Sequence, residues 1–416
     1  MLKHIALLLN NQINKKEIIQ SVFGNHFIQD FIDIRTLQGA LLSSVTIDKQ
    51  KEEEFLHDRI IVNSNENTSL SSMSSGQQKK ALLNYQINQH PDFILLDDVY
   101  SNVDTATQEQ IKTQLMELSN TIRFIQIVFR KADILPFIQD VWKVKSDKTI
   151  EVCTAESLLL NETDNHFSTV KLPTATISYN HLPDTLVHLR NIHVAYGDKE
   201  VLHNLNWEIR KGEFWQLVGP NGSGKSTLVS MICGDNPKAY GQDMTLFGRK
   251  KGSGETIWDI KEKIGYFTPA MTLRFTRHES VENMIISGLN DSVGLYTEPT
   301  DLQKKLAKEW MHVLGSSIHK RYFHELSMGQ QRMVMVARAM IKQPPLLILD
   351  EPTIELDEEN TAIFIEMVQA IARQKQTAIV YISHRNEPAL QPGMIFELVK
   401  TNNTYTGVVK NKKPAS

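Results

Sequence analysis

The sequence predicts an α/β fold with mostly parallel strands, on three observations. The apolar run Phe214-Trp-Gln-Leu-Val218 leads into a glycine turn and then into the helix-compatible stretch Thr227 to Cys233, in the order strand, loop, helix. A second apolar run, Leu346 to Leu349, closes on Asp350 and Glu351, as a buried parallel strand does where its C-terminal end opens onto a site. Third, the chain repeats itself. Met73-Ser-Ser-Gly-Gln-Gln78 matches Leu326-Ser-Met-Gly-Gln-Gln331, Phe93 to Asp97 matches Leu346 to Asp350, and the step from Gln77 to Asp97 equals that from Gln330 to Asp350, 20 residues.

From the N-terminus onward, Ile5 to Leu9 is too short an apolar run for a signal-peptide core and reads as a buried strand. Ser74 stands 253 residues before Ser327, and on that offset Met1 falls opposite Gly254. The first copy is therefore expected to begin late, with no counterpart of residues 186–253. Residues 141–152 and 394–409 both read as strand, polar turn, strand, and a helical insert is expected around Glu279 to Trp310. The implied organisation is a partial unit at 1–152, a linker with a leading strand at 153–186, and a complete unit at 187–416.

With 41% hydrophobic and 22% charged residues among 416, the chain can bury the cores of two or three domains. A formal charge of -3 gives no electrostatic grounds for nucleic acid as a partner. Two distant cysteines, Cys153 and Cys233, fit a reducing, cytoplasmic setting and exclude a disulfide scaffold. No run of about 18 apolar residues occurs, so if the protein drives transport another chain supplies the channel.

Gly219-Pro220-Asn221-Gly222-Ser223-Gly224-Lys225-Ser226, followed by Thr227, fits G-x-x-x-x-G-K-[ST]. Glycines let consecutive backbone N–H groups close around phosphate oxygens, and the following helix turns its positive end to the same anion. Lys225 is expected at the β and γ phosphates of ATP and the Ser226 hydroxyl on Mg2+. Asp350 is expected to hold Mg2+ through water, and Glu351 to polarise the attacking water as general base.

Leu326-Ser327-Met328-Gly329-Gln330 resembles the LSGGQ signature of ATP-binding cassette proteins, with Met328 for its first glycine. In that resemblance Asp357 looks like the D-loop aspartate, with Asp104 its counterpart in the first copy. His384 looks like the switch histidine, and Tyr196 like the aromatic that stacks on adenine. The likeness covers about the last 230 residues and, less fully, Met73 to Arg130. It implies P-loop NTPase cassettes with a helical signature subdomain, one partial and one complete, in which ATP is sandwiched between the P-loop of one cassette and the signature of another. The abbreviated first half is similar to tandem cassette ATPases of molybdate transport or photorepair. A transmembrane permease partner and peripheral docking at the inner face of the plasma membrane are then expected.

Departures from the family pattern bear on mechanism. Ile264-Gly-Tyr-Phe-Thr-Pro269 has no glutamine where the Q-loop should lie, and Thr268 is the nearest substitute. In the first copy Asp98 replaces the basic glutamate and Phe129 the histidine, while Ser74, Gly76 and Gln77 persist. Either the two units pair within one chain around a single site, or second units pair in a homodimer. A soluble ATPase acting as an ATP-dependent clamp or switch on the ribosome, DNA or another protein, without transport, is the rival function.

Overall fold

Short runs of consecutive apolar residues become parallel strands covered on both faces. The computed structural model describes residues 2–24, 37–57, 59–62, 68–101, 103–145, 147, 149–160, 171–174, 177–179, 181–272, 274–275, 278–315, 318–383, 387 and 389–411. The chain divides into two units, Met1–Asn165 with Glu355–Glu358, and His166–Ile354 with Glu359–Ser416.

The first unit is a six-stranded sheet of β1 (Ile5–Leu8), β2 (Gly39–Leu42), β3 (Phe93–Asp97), β4 (Arg123–Val128), β5 (Asp140–Val144) and β6 (Ile150–Thr154), in the order β2-β3-β4-β1-β5-β6. Only the β5/β6 pair is antiparallel. Alternation along the strands divides the core in two. Ile5, Leu7, Phe93 and Leu95 pack with Ile18 and Val22 of the helix Lys15–Phe23. Ala6, Ile94 and Leu96 pack with Leu82 and Leu83 of the helix Ser75–Ile87 and with Ile111 and Leu115 of the helix Thr105–Leu118.

The second unit is a ten-stranded sheet of β7 (Thr185–Tyr196), β8 (Lys199–Arg210), β9 (Phe214–Val218), β10 (Asp243–Leu246), β11 (Arg249–Lys250), β12 (Ile264–Phe267), β13 (Leu346–Asp350), β14 (Ala378–Ile382), β15 (Met394–Thr401) and β16 (Thr404–Asn411). Its order is β11-β10-β7-β8-β16-β15-β9-β14-β13-β12. The helices Val281–Ile286 and Asp301–Leu314 form the expected helical insert.

The run β12-β13-β14-β9-β15-β16 repeats β2-β3-β4-β1-β5-β6 in order and in strand direction. This corrects the expected late start of the first copy. Its β1 holds the place of β9, the strand ahead of the glycine loop, and what it lacks among the described residues is the antiparallel layer β7, β8, β10 and β11. The offset misled because the shortening lies inside the copy. The helix starts Lys15 and Lys225 differ by 210, the β2 and β12 starts Gly39 and Ile264 by 225, and the β3 and β13 starts Phe93 and Leu346 by 253, so part is lost between the first helix and β2 and more between β2 and β3. The helices after the two strands record the difference. Lys225–Ile232 is clasped between the parallel strands and the antiparallel layer, so Leu228, Val229, Met231 and Ile232 are all buried. Lys15–Phe23 has one sheet to pack on, buries Ile18, Ser21 and Val22, and keeps Lys16, Glu17 and Gln20 exposed.

The boundary at 152 also moves. It cuts β6, and the helix Ala155–Leu160 still places Leu158 in the first unit's core.

Candidate functional site

The glycine loop leaves β9 at Val218 and enters the helix at Lys225, with Gly224 as the cap residue at φ +98. Gly222 lies at φ +74 with open space where a side chain would begin. A Cβ on Gly224 would stand 2.7 Å from Leu202 Cδ2 and 3.1 Å from Val201 Cγ1. These two positions need glycine for different reasons, left-handed backbone at both and crowding at the second. Gly224→Ala is expected to cost about 1–3 kcal/mol of stability in thermal or urea unfolding and to weaken nucleotide binding, through strained backbone and the displaced Leu202.

Gly219, Pro220 and Asn221 open the loop. Lys225 Nζ donates to the carbonyls of Gly219 (2.7 Å) and Pro220 (3.0 Å), which keeps the ammonium across the mouth of the turn. Ser223 is fully buried, and its Oγ has no hydrogen-bond partner among the described residues. Ser226 is exposed in the first helical turn and Thr227 follows it, half-buried. Tyr196, at the end of β7, accepts a hydrogen bond from Asn236 Nδ2 at 3.2 Å. Bonds with Asn236 and Thr227 hold its hydroxyl below the usual phenol range, which ties this half-exposed ring to the loop's helix. Nothing in the sequence singled out Asn236.

Asp350 ends β13. Burial pushes its carboxyl up to about 6, and the Lys225 ammonium opposes the shift. Because the folded state holds this proton more tightly than the unfolded chain, stability falls as pH rises from about 4 to about 6. Nucleotide-free Asp350→Asn is therefore expected to melt above the wild type at about pH 8, the gap closing towards about pH 4, while it loses metal-dependent turnover. A half-buried carboxylate that resists ionisation until a cation arrives, coupled to the Lys225 ammonium, is a fitting donor for Mg2+ on a phosphate.

Glu351 sits at φ +48, its N–H donates to Ile382 O at 2.8 Å, and Ser383 Oγ donates to its Oε2 at 3.2 Å. Asp98, at the same step past β3, takes φ +53, so the first copy keeps the backbone form after losing the glutamate. His384 lies outside the described residues.

Both signature loops are helix caps. Ser327 Oγ accepts from Gln330 N (3.3 Å) while Gln330 Oε1 accepts from Ser327 N (3.2 Å), ahead of the helix Met328–Met340. Ser74 and Gln77 make the same exchange at 3.4 and 2.9 Å. The pattern S-x-x-Q is thus a capping box, a structural job read past in the sequence. Gly329 is buried, and a Cβ on Gly76 would meet Thr107 Cγ2 at 2.6 Å. Asp104 caps the helix Thr105–Leu118 through Thr107 N at 2.9 Å. Asp357 Oδ2 accepts from Asn11 N at 2.8 Å.

The first unit holds one residue that sequence reasoning missed. From Leu8 to Lys15 is the same step, strand end to helix start, as from Val218 to Lys225, so Lys15 is the topological match of the loop lysine. Its loop, Leu9-Asn10-Asn11-Gln12-Ile13-Asn14, has no glycine, and Asn14 caps the helix through Lys16 N. Lys15 Nζ lies 3.1 Å from Asp97 Oδ1 and 3.0 Å from Glu355 Oε1. Burial alone would lower this ammonium's pKa; Glu355 and Asp97 more than offset that and raise it.

Residues 202–354 match the family model of the ABC transporter. The ABC transporter ATP-binding protein ModF of Escherichia coli is 38% identical over 332 residues, 76% of this chain and 67% of that protein. An uncharacterized ABC transporter ATP-binding protein of Schizosaccharomyces pombe is 29% identical over 328 residues, 76% of this chain and 66% of its own length. The chain thus spans about two thirds of the length of these relatives. A chain of ribosome-bound archaeal Pelota and ABCE1 superposes with a TM-score of 0.65 at 14% identity, covering 98% of this chain and 75% of that one, a likeness of fold alone. No described helix is long and apolar enough to cross a membrane. The glycine cradle, the half-buried aspartate at the end of β13 and the extent of the match to ModF lead to one assignment: the chain belongs to the ATP-binding cassette family and is an ATP-binding, ATP-hydrolysing member of it.

Proposed function

We propose that the second unit binds and hydrolyses Mg-ATP at one site per chain. Lys225 and the loop N–H groups bind phosphate, Ser226 and Asp350 hold Mg2+, Tyr196 stacks on adenine, and Glu351 orients and deprotonates the attacking water. Mg2+, when bound, neutralises charge that develops on the phosphoryl oxygens. The observation that carries this reading is the loop itself, with Gly224 crowded against Leu202 and Lys225 folded over the turn.

The first unit contributes its Ser74-Gly76-Gln77 signature to that site, in an intramolecular pairing of cassettes. Retention of the Ser74/Gln77 capping box in a copy whose strand-to-helix loop has no glycine supports this assignment. Ser74→Arg tests it: loss of one transition-state donor is expected to lower turnover about 10²–10³-fold. Turnover unchanged in Ser74→Arg but lost in Ser327→Arg would instead assign the site to a homodimer.

Turnover energises a separate membrane subunit from the cytoplasmic side, a reading supported by the relatives' name of ABC transporter ATP-binding protein, with a molybdate-like oxyanion as the cargo by resemblance. Co-purification of a membrane subunit with the tagged chain tests this reading. A second reading, an ATP-dependent clamp or switch without transport, is favoured by Thr268 standing where the family has its Q-loop glutamine. Stable binding to a soluble partner only with ATP would support it.

A further inference from the structure

The hairpin of β7 and β8 carries a cluster with no part in the nucleotide site. His193, Glu200 and His203 each offer a ligand atom, and these atoms all lie within 4.8 Å of one another. Both imidazole Nδ1 atoms point at one oxygen, Glu200 Oε1, at 3.5 Å from His193 and 2.8 Å from His203. The two rings meet edge to face with centroids 4.6 Å apart. Donors bound to one tetrahedral zinc at ~2.0–2.1 Å stand about 3.3 Å from each other, so small side-chain movements would close the cluster on an ion.

Two further residues hold His193 in this pose. Its Nε2 lies 2.9 Å from Asn191 Oδ1, and since a carbonyl oxygen only accepts, Nε2 carries the proton. In the neutral ring Nδ1 is then a bare lone pair facing a carboxylate, an arrangement that either a second ring proton or a metal cation between them relieves. Its main chain is gripped on both sides by Gln242, whose Oε1 accepts from His193 N (3.1 Å) and whose Nε2 donates to His193 O (2.6 Å). An outer carbonyl that fixes the tautomer of a histidine is the usual support of a metal ligand.

We infer that His193, Glu200 and His203 form a three-ligand site for a transition-metal dication of the zinc type, open to solvent at its remaining position. Two imidazoles and one carboxylate suit zinc, nickel or cobalt and not magnesium or calcium, which take all-oxygen shells. The ion would tie β7 to β8 just ahead of Tyr196, so the hairpin that presents this ring would be pinned.

The test is titration of the chelator-treated, nucleotide-free full chain with zinc chloride at a pH where histidine is neutral, read by competition with a chromophoric chelator. The expected result is one zinc equivalent that magnesium chloride does not displace. His193→Gln and His203→Gln each weaken it at least tenfold, and Asn191→Ala weakens it about tenfold through the tautomer alone. A wild-type melting point that rises with zinc, and does not rise in His203→Gln, completes the expected pattern. Equal zinc uptake by the wild type and both histidine variants would overturn the site, as would no uptake by any of them. The side chains are at the surface, so the variants are expected to fold normally.

Discussion

Glu351→Gln is expected to lower steady phosphate release about 10²–10⁴-fold while leaving ATP binding and the melting temperature near wild type. The substitution removes the basic oxygen and keeps the length of the side chain. Glutamine has the volume of glutamate, its carbonyl can still accept from Ser383 Oγ, and the backbone bond from residue 351 to Ile382 O is untouched. The left-handed φ of +48 costs glutamine what it costs glutamate, so the strain in this turn does not change. A β-branched replacement would add strain and confuse loss of chemistry with loss of fold. Phosphate release measured beside equilibrium nucleotide binding separates the two, and release at the wild-type rate would remove Glu351 from the base role.

How much of this was legible in the sequence depended on whether a function is carried by neighbours in the chain or in space. The glycine loop was legible because its constraints are local: Gly222 and Gly224 need left-handed backbone, and Lys225 follows at once. The strand character of Ile5 to Leu8 was legible from its apolar run, but its rank in the sheet was not. Sheet order is set by crossover connections, and shortenings between Phe23 and Gly39 and between Leu42 and Phe93 leave no trace in an offset taken from the segments after them. One signal was available: a lysine at the same step past an apolar strand in both copies, Lys15 and Lys225. Without glycines between strand and lysine it does not read as a phosphate loop. Contacts between distant segments, such as Asn236 with Tyr196 and Ser383 with Glu351, left no local pattern to find.

Lys15→Ala is expected to destabilise the protein by about 2–4 kcal/mol, the largest loss from one surface-proximal residue, because it strands a buried carboxylate. Asp97 has a side chain only 6% exposed, at the end of a fully buried strand, and Lys15 is the cation against it. Burial already pushes the Asp97 carboxyl above its ordinary range, with Lys15 opposing and Asp98 adding to the rise. Without the ammonium the proton is held more tightly still. The variant should then lose stability as pH rises above the ordinary carboxylate range and recover it on acidification, since the folded state would bind more protons than the unfolded one. Asp97→Asn in the Lys15→Ala background should restore most of the loss, because the stranded charge goes with it. Urea unfolding of the two single variants and the double gives the coupling directly. Additive losses would show that Lys15 acts through packing. The same cycle bears on nucleotide stoichiometry. In the second unit the matching aspartate, Asp350, makes no ion pair among the described residues, whereas Asp97 is paired with the first unit's own lysine, so the wild type should bind one ATP per chain, and Lys15→Ala should not create a second site in a loop that has no glycine.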